Sequence, residues 1–297
     1  METFWNALTL SNAALVDWRR RSWLGRWVGS VDRWSQASWL LPWGEPIAAG
    51  IALLTLALAP FVSTALMGLL MIAAGAIWLL LTLSDGVASG RLRAWVEGSA
   101  GEGEGDRTSG SWFTPIHLVV ALYFAISIAA TAWSPVKVAA AAGLVKLVLN
   151  LGFFLALARV LQQPRWRSRL ILVYLLAALA TSVYGLQQWF GGAEALATWV
   201  DPESPLNKTT RIFSYLGNPN LLAAYLLPAL PLSAVAIVAW SGWLPKALAV
   251  TMFTVNSAAL VLTFSRGGWI AMVLALGTLG ALLAYWWTVK LRSPFWR

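Results

Sequence analysis

The sequence predicts an all-α, polytopic transmembrane bundle of about eight spans, and three observations carry that prediction. Of its 297 residues 59% are hydrophobic and only 11% are charged, and the mean hydropathy is +0.69, outside the range of soluble domains. Several apolar runs approach ~20 residues, enough to cross a hydrocarbon core of about 30 Å as helices. The alternating ten-residue segments of a transmembrane barrel are absent.

The chain opens with a basic arm, residues 1–45, in which Trp5, Trp18, Trp23, Trp27, Trp34, Trp39 and Trp43 interleave with Arg19, Arg20, Arg21, Arg26 and Arg33. Indole rings favour the headgroup layer and arginines there meet lipid phosphates, so the arm reads as a segment lying on the cytoplasmic leaflet. Docking of a cytoplasmic partner is its alternative reading. An apolar core with a small-residue cleavage site is missing near Met1, so the arm is not read as a cleaved signal.

Eight apolar spans follow, near Pro46–Phe61, Thr64–Leu83, Pro115–Trp133, Val136–Leu161, Leu170–Phe190, Pro219–Trp240, Leu244–Phe264 and Gly267–Val289. Residues 46–190 form an amino-terminal helical bundle, 191–218 an external loop and 219–297 the start of a second region. The first two spans are joined so tightly, around Pro60–Ser63, that a re-entrant pair is their alternative reading. Within the first region, residues 84–114 include the run EGSAGEGEGDRTSGS and read as a flexible cytoplasmic linker.

Basic residues set the orientation. Arg91, Arg93 and Arg107 follow the second span, Arg159, Arg165, Arg167 and Arg169 cluster at the fourth connection, and Lys246, Lys290, Arg292 and Arg297 share their side. By the positive-inside rule both termini are cytoplasmic. The formal charge of +9 then answers to anionic lipid, and no nucleic-acid partner is expected. With no cysteine and a single histidine, His117, the chain offers no disulfide, no thiol nucleophile and no metal cluster, and no cofactor is expected.

Two polar interruptions remain on the outer side, RIFSYLGNPN (Arg211–Asn220) and TFSRGGW (Thr263–Trp269). Asn218 is placed to cap a helix whose first residue is Pro219. Free N–H groups and the positive end of the dipole then face the outer surface, as in anion sites. Arg211 lies in a connection that should avoid basic residues, and Arg266 falls at the outer boundary, able to bind a carboxylate, carbonate or phosphate bidentately. Snorkelling to lipid phosphate is the plainer reading of Arg266. The expected anion-binding set is Arg211, Arg266, Asn218 and Asn220. Pro228 and Pro231 should kink the sixth span.

Inside the fourth span Lys146 sits near mid-membrane with Asn150 one turn further along the same face, flanked by Ala139, Ala142 and Gly143. The pair reads either as an intramembrane polar pathway or as a structural lysine that snorkels or bonds backbone carbonyls. Asn256 reads as a hydrogen bond between helices.

The motifs R-x-F-x-x-x-GNPN and T-x-SRG, carried here by Arg211, Phe213, Gly217, Asn218, Pro219, Asn220, Thr263, Ser265, Arg266 and Gly267, resemble the O-antigen ligase and polymerase superfamily over about Arg211–Leu283. The Trp-rich basic start and GEPIAAGIALLTLALAPFVST (Gly44–Thr64) are similar to its cyanobacterial IctB branch, described as bicarbonate transporters. The resemblance implies a multi-pass protein of the bacterial inner membrane, taking either a small anion such as bicarbonate or a polyprenyl-diphosphate-linked glycan. It implies inorganic-carbon uptake or, as the alternative, a membrane glycosyltransferase, with an inactive scaffold as a third reading. The ligases also use a histidine in a later external loop. This sequence does not contain that loop, which implies a chain truncated at its carboxyl end and leaves its catalytic residues unassigned.

Overall fold

The computed structural model describes residues 38–39, 41–88, 115–192 and 211–292. Most of the arm, the linker beyond Ala88 and residues 193–210 with Lys208 lie outside the described residues. Among the described residues every regular element is helical: α1 (Leu41–Leu58), α2 (Thr64–Ala88), α3 (Pro115–Trp133), α4 (Lys137–Leu161), α5 (Pro164–Gly191), the short 3-10 helix η1 (Ser214–Leu216), α6 (Pro219–Leu226), α7 (Ala229–Ala239), α8 (Trp243–Leu262) and α9 (Arg266–Arg292). Counting Pro219–Ala239 as one, seven of these helices are long and apolar enough to cross a membrane, and the apolar part of α1, Trp43–Leu58, is shorter. The chain is a multi-pass membrane protein of the all-α class.

Differences from the expected spans have local causes. The first helix begins at Leu41 and carries Pro46 inside it, where the missing N–H removes one bond from the ladder without ending the helix. The second helix runs on to Ala88, past the expected start of the linker. The sixth span is split, with α6 ending at Leu226 and α7 starting at Ala229. Pro228 supplies no N–H and its ring displaces the carbonyl one turn back, which breaks the ladder there. Pro231 falls in the first turn of α7 and costs no further bond.

The described residues divide into two compact units, one running up to Ala52 and from Gly68 to Gln162, the other comprising Leu53–Met67 and the residues from Gln163 onward. In the first, Arg159 in the last turn of α4 pairs with Glu45 near the start of α1, Nη2 to Oε1 at 2.7 Å, with Nε donating to the same oxygen at 2.8 Å. This puts the start of α1 and the end of α4 at one end of the unit, as four successive crossings require. In the middle, a Cβ built on Gly75 of α2 would lie 3.6 Å from the Gly152 Cα of α4, so two glycines allow the backbones to approach closely.

In the second unit α7 packs against α8 and α5, and the core gathers Leu175, Ile212, Leu222, Leu226, Leu230, Met252 and Leu260. Lipid tails are as apolar as these side chains, so the core holds by close van der Waals fit and by hydrogen bonds between helices. Ser182 Oγ of α5 donates to Asn256 Oδ1 of α8 at 2.8 Å, with both residues fully buried. Asn256 therefore bridges helices as the sequence suggests.

Candidate functional site at the α6 and α9 amino termini

Both polar motifs lie at one end of the second unit, and they are hydrogen-bonded to each other. The extended residues before η1 run beside the end of α8, where Ile212 N–H donates to the Leu262 carbonyl at 3.3 Å. Arg211 Nε donates to the Thr263 carbonyl at 2.9 Å, and its Nη2 lies 3.4 Å from Asn220 Oδ1. Burial pulls the Arg211 pKa down from the usual guanidinium value, yet a guanidinium keeps its charge at any physiological pH.

The chain reaches α6 through two left-handed positions, Ser214 at φ 51° and Gly217 at φ 67°. Glycine takes such a conformation freely, whereas for serine it is strained. Neighbouring groups hold Ser214 there. Gln188 Oε1 of α5 accepts from Phe213 N–H at 3.2 Å and from Ser214 N–H at 2.8 Å, and Ser214 Oγ donates to the Thr181 carbonyl at 2.6 Å. Asn218 then caps α6, its Oδ1 accepting from Asn220 N–H at 2.8 Å, and Pro219 takes the first helical position.

The second motif makes a similar entry into α9. Thr263 Oγ1 donates to the Leu260 carbonyl at 2.6 Å and accepts from Ser265 N–H at 3.2 Å. Ser265 Oγ in turn accepts from Gly268 N–H at 3.3 Å, which makes Ser265 the amino-terminal cap. Phe264, left-handed at φ 51°, sits between Trp189 and Trp269 with ring centroids 6.0 and 5.9 Å away. Trp269 Nε1 donates to the Val261 carbonyl at 3.0 Å, tying the start of α9 to the end of α8.

Between α6 and α9 lies a cleft of about 440 Å³. Asn220, Ser265, Gly267 and Gly268 form its polar end, and Ala223, Ala224, Leu227 and Ala271 form apolar walls. The helices come this close because residue 268 is glycine: a Cβ there would lie 2.8 Å from the Ala223 Cβ. The first turn of α9 also leaves the Arg266 and Gly267 N–H groups without intrahelical acceptors, at the positive end of the helix dipole.

No protein-family model, curated protein or solved structure matches the chain.

The site stands on this geometry and on the motif residues that build it. Of the expected residues, Arg211, Asn218 and Asn220 form one network, and Asn220 carries it to the cleft. Arg266 is the exposed first residue of α9 and does not line the cleft. Lys146 and Asn150 belong to the other unit, where both are exposed and Asn150 Nδ2 donates to the Lys146 carbonyl of its own helix at 2.8 Å. His117 also belongs to that unit, in the first turn of α3, with its ring 6.0 Å from Phe154. Gln188 and Ser214 escape a sequence reading. Gln188 looks like one more polar residue at a span end, and its role exists only once α5 lies beside the turn.

Proposed function

We propose that this membrane protein binds the phosphate group of an amphiphilic, lipid-linked substrate where Arg211, Asn220 and the first turn of α9 meet. The way Arg211 is held carries the reading. Its Nε is committed to the Thr263 carbonyl and one Nη faces Asn220, which fixes the plane of the guanidinium. Its remaining N–H donors suit a phosphate oxygen pair, and Asn220 joins the guanidinium to the cleft that the first turn of α9 lines. A cleft of about 440 Å³ falls in the ~300–1,000 Å³ range that holds organic ligands, far more than one inorganic anion fills.

A polar end with apolar walls below it fits a charged headgroup carrying a hydrocarbon tail. That is the chemistry of the polyprenyl-diphosphate-linked glycans of a bacterial inner membrane that the ligase resemblance implies, and the basic-residue pattern supports an outer-face position for the site. The residues named here bind; none is assigned a catalytic step.

Inorganic-carbon uptake of the IctB type is the second reading. A run of buried polar groups favours it, passing from Ser214 to Thr181 and on to Ser182 and Asn256 within the bundle. A small anion would use the same Arg211 as its entry contact.

Titration of the chain in lipid nanodiscs with a fluorescent polyprenyl diphosphate tests the proposal. Arg211→Lys and Asn220→Leu should each weaken binding roughly tenfold, about 1.4 kcal/mol, with folding monitored in parallel by circular dichroism. Unaltered affinity in both variants overturns the site. Strong competition by bicarbonate transfers the site to the second reading.

A further inference from the structure

Lys146 presents a problem that the cleft does not solve. It lies nine residues after Lys137, about 14 Å along α4 at ~1.5 Å per residue, and thirteen residues before Arg159, about 20 Å. Lys137 and Arg159 bracket a length close to the ~30 Å hydrocarbon core, so Lys146 sits near its middle. From that depth a four-methylene stem falls short of either headgroup layer. The side chain makes no hydrogen bond or ion pair with any described residue. The only carboxylates among the described residues are Glu45 and Asp85, near the start of α1 and in the last turn of α2. No described span of this chain carries an acid at the depth of Lys146.

The surface around this charge is shaped for a helix. Ala139, Gly143, Lys146 and Asn150 follow one another at three- and four-residue spacing, with Ala142 three residues after Ala139 and four before Lys146, which puts them on one face of α4, and all five are exposed. A Cβ on Gly143 would meet nothing within 4 Å, so another backbone has room to approach. Asn150 spends one N–H on its own helix and keeps its carbonyl oxygen as an acceptor. Small residues that allow close contact, with a buried charge among them, are how membrane helices pair specifically.

We infer that this face of α4 docks a transmembrane helix of another membrane protein, one carrying an aspartate or glutamate at mid-membrane depth that pairs with Lys146. Charge complementarity decides the occupant. A second copy of the described spans has the same lysine and no matching acid, so self-pairing would bring two cations together. This inference does not rest on the phosphate reading of the cleft, since it concerns the other unit and a different ligand class.

The test reconstitutes the 297-residue chain in neutral phosphatidylcholine vesicles. The sequence has no cysteine, so a dye is placed through Val136→Cys at the start of α4. The probe is a synthetic Leu/Ala transmembrane helix with one central aspartate, and its all-apolar twin is the control; association is read by energy transfer. The aspartate helix should associate at least about tenfold more tightly than the twin, and the preference should vanish in Lys146→Met and in Lys146→Gln while the chain stays folded. Equal association of the two probes, or a preference that survives loss of the ammonium, overturns the inference. Lys146-dependent transfer between labelled copies without any probe would overturn it as well, because the face would then be a self-contact.

Discussion

Arg211 Nε reaches the carbonyl of Thr263 across fifty-two residues of sequence, joining the entry to α6 with the exit of α8. One side chain thus locks together the two polar segments that interrupt the apolar runs. Its Nη2 faces Asn220, which lines the polar end of the cleft, so the lock holds that end in place.

Gln188 should prove as important to that rigidity as any residue in the motifs. Its carbonyl oxygen satisfies two successive backbone N–H groups, one on left-handed Ser214. Gln188→Leu removes both bonds at once. The expected loss is about 1–3 kcal/mol per stranded donor, read as a lowered unfolding midpoint in mixed micelles, together with weaker diphosphate binding. A variant as stable as the parent would show that Ser214 holds its conformation without the amide.

Gly268 sets the separation of α6 and α9. Gly268→Ala puts a methyl group 2.8 Å from the Ala223 Cβ, so the helices must part or the variant must lose stability, by about 1–3 kcal/mol for an overpacked contact. Adding Ala223→Gly should restore most of the loss. If the double variant is no better than the single one, the close approach is not what residue 268 provides.

The Ser182–Asn256 bond invites a double-mutant cycle. Ser182→Ala, Asn256→Leu and the pair should give a coupling of about 0.6 kcal/mol, up to ~1.7, the range seen for hydrogen bonds between membrane helices. The amide nitrogen of Asn256 has no partner among the described residues although it is fully buried. Asn256→Leu therefore also relieves an unsatisfied donor, and alone it should cost little or even stabilise the bundle.

Orientation can be read with single cysteines in this cysteine-free chain. Lys208→Cys and Arg266→Cys should react with a membrane-impermeant maleimide from outside, and Arg107→Cys only after the membrane is opened. Ser265 is a poor position for such a label, since it is buried and caps α9. Reaction of Arg107→Cys from outside would invert the topology and move the cleft to the cytoplasmic face.

The helical class, the approximate spans, the break at Pro228 and the Asn218 cap were all legible in the sequence, because each follows from neighbours within a turn or two of the same helix. Periodicity and length report where a helix lies in lipid, and proline or a cap reports where it stops. The expected anion set was legible only in part. Arg211 and Asn220 meet as the motifs suggest, whereas Arg266, next to Ser265 and Gly267 in sequence, begins the helix and stays off the cleft wall.

What the sequence by itself determined is that this chain must be helical and must span a membrane, since no other backbone arrangement satisfies its polar groups in runs so apolar. Tertiary structure alone decided that Gln188 would serve Ser214, that Ser182 would serve Asn256 and that Gly268 would admit Ala223. These pairs are separated by 26, 74 and 45 residues. Their geometry depends on how helices cross, and that is settled by the fit of small residues across an interface, a property of two surfaces that no single stretch of sequence contains.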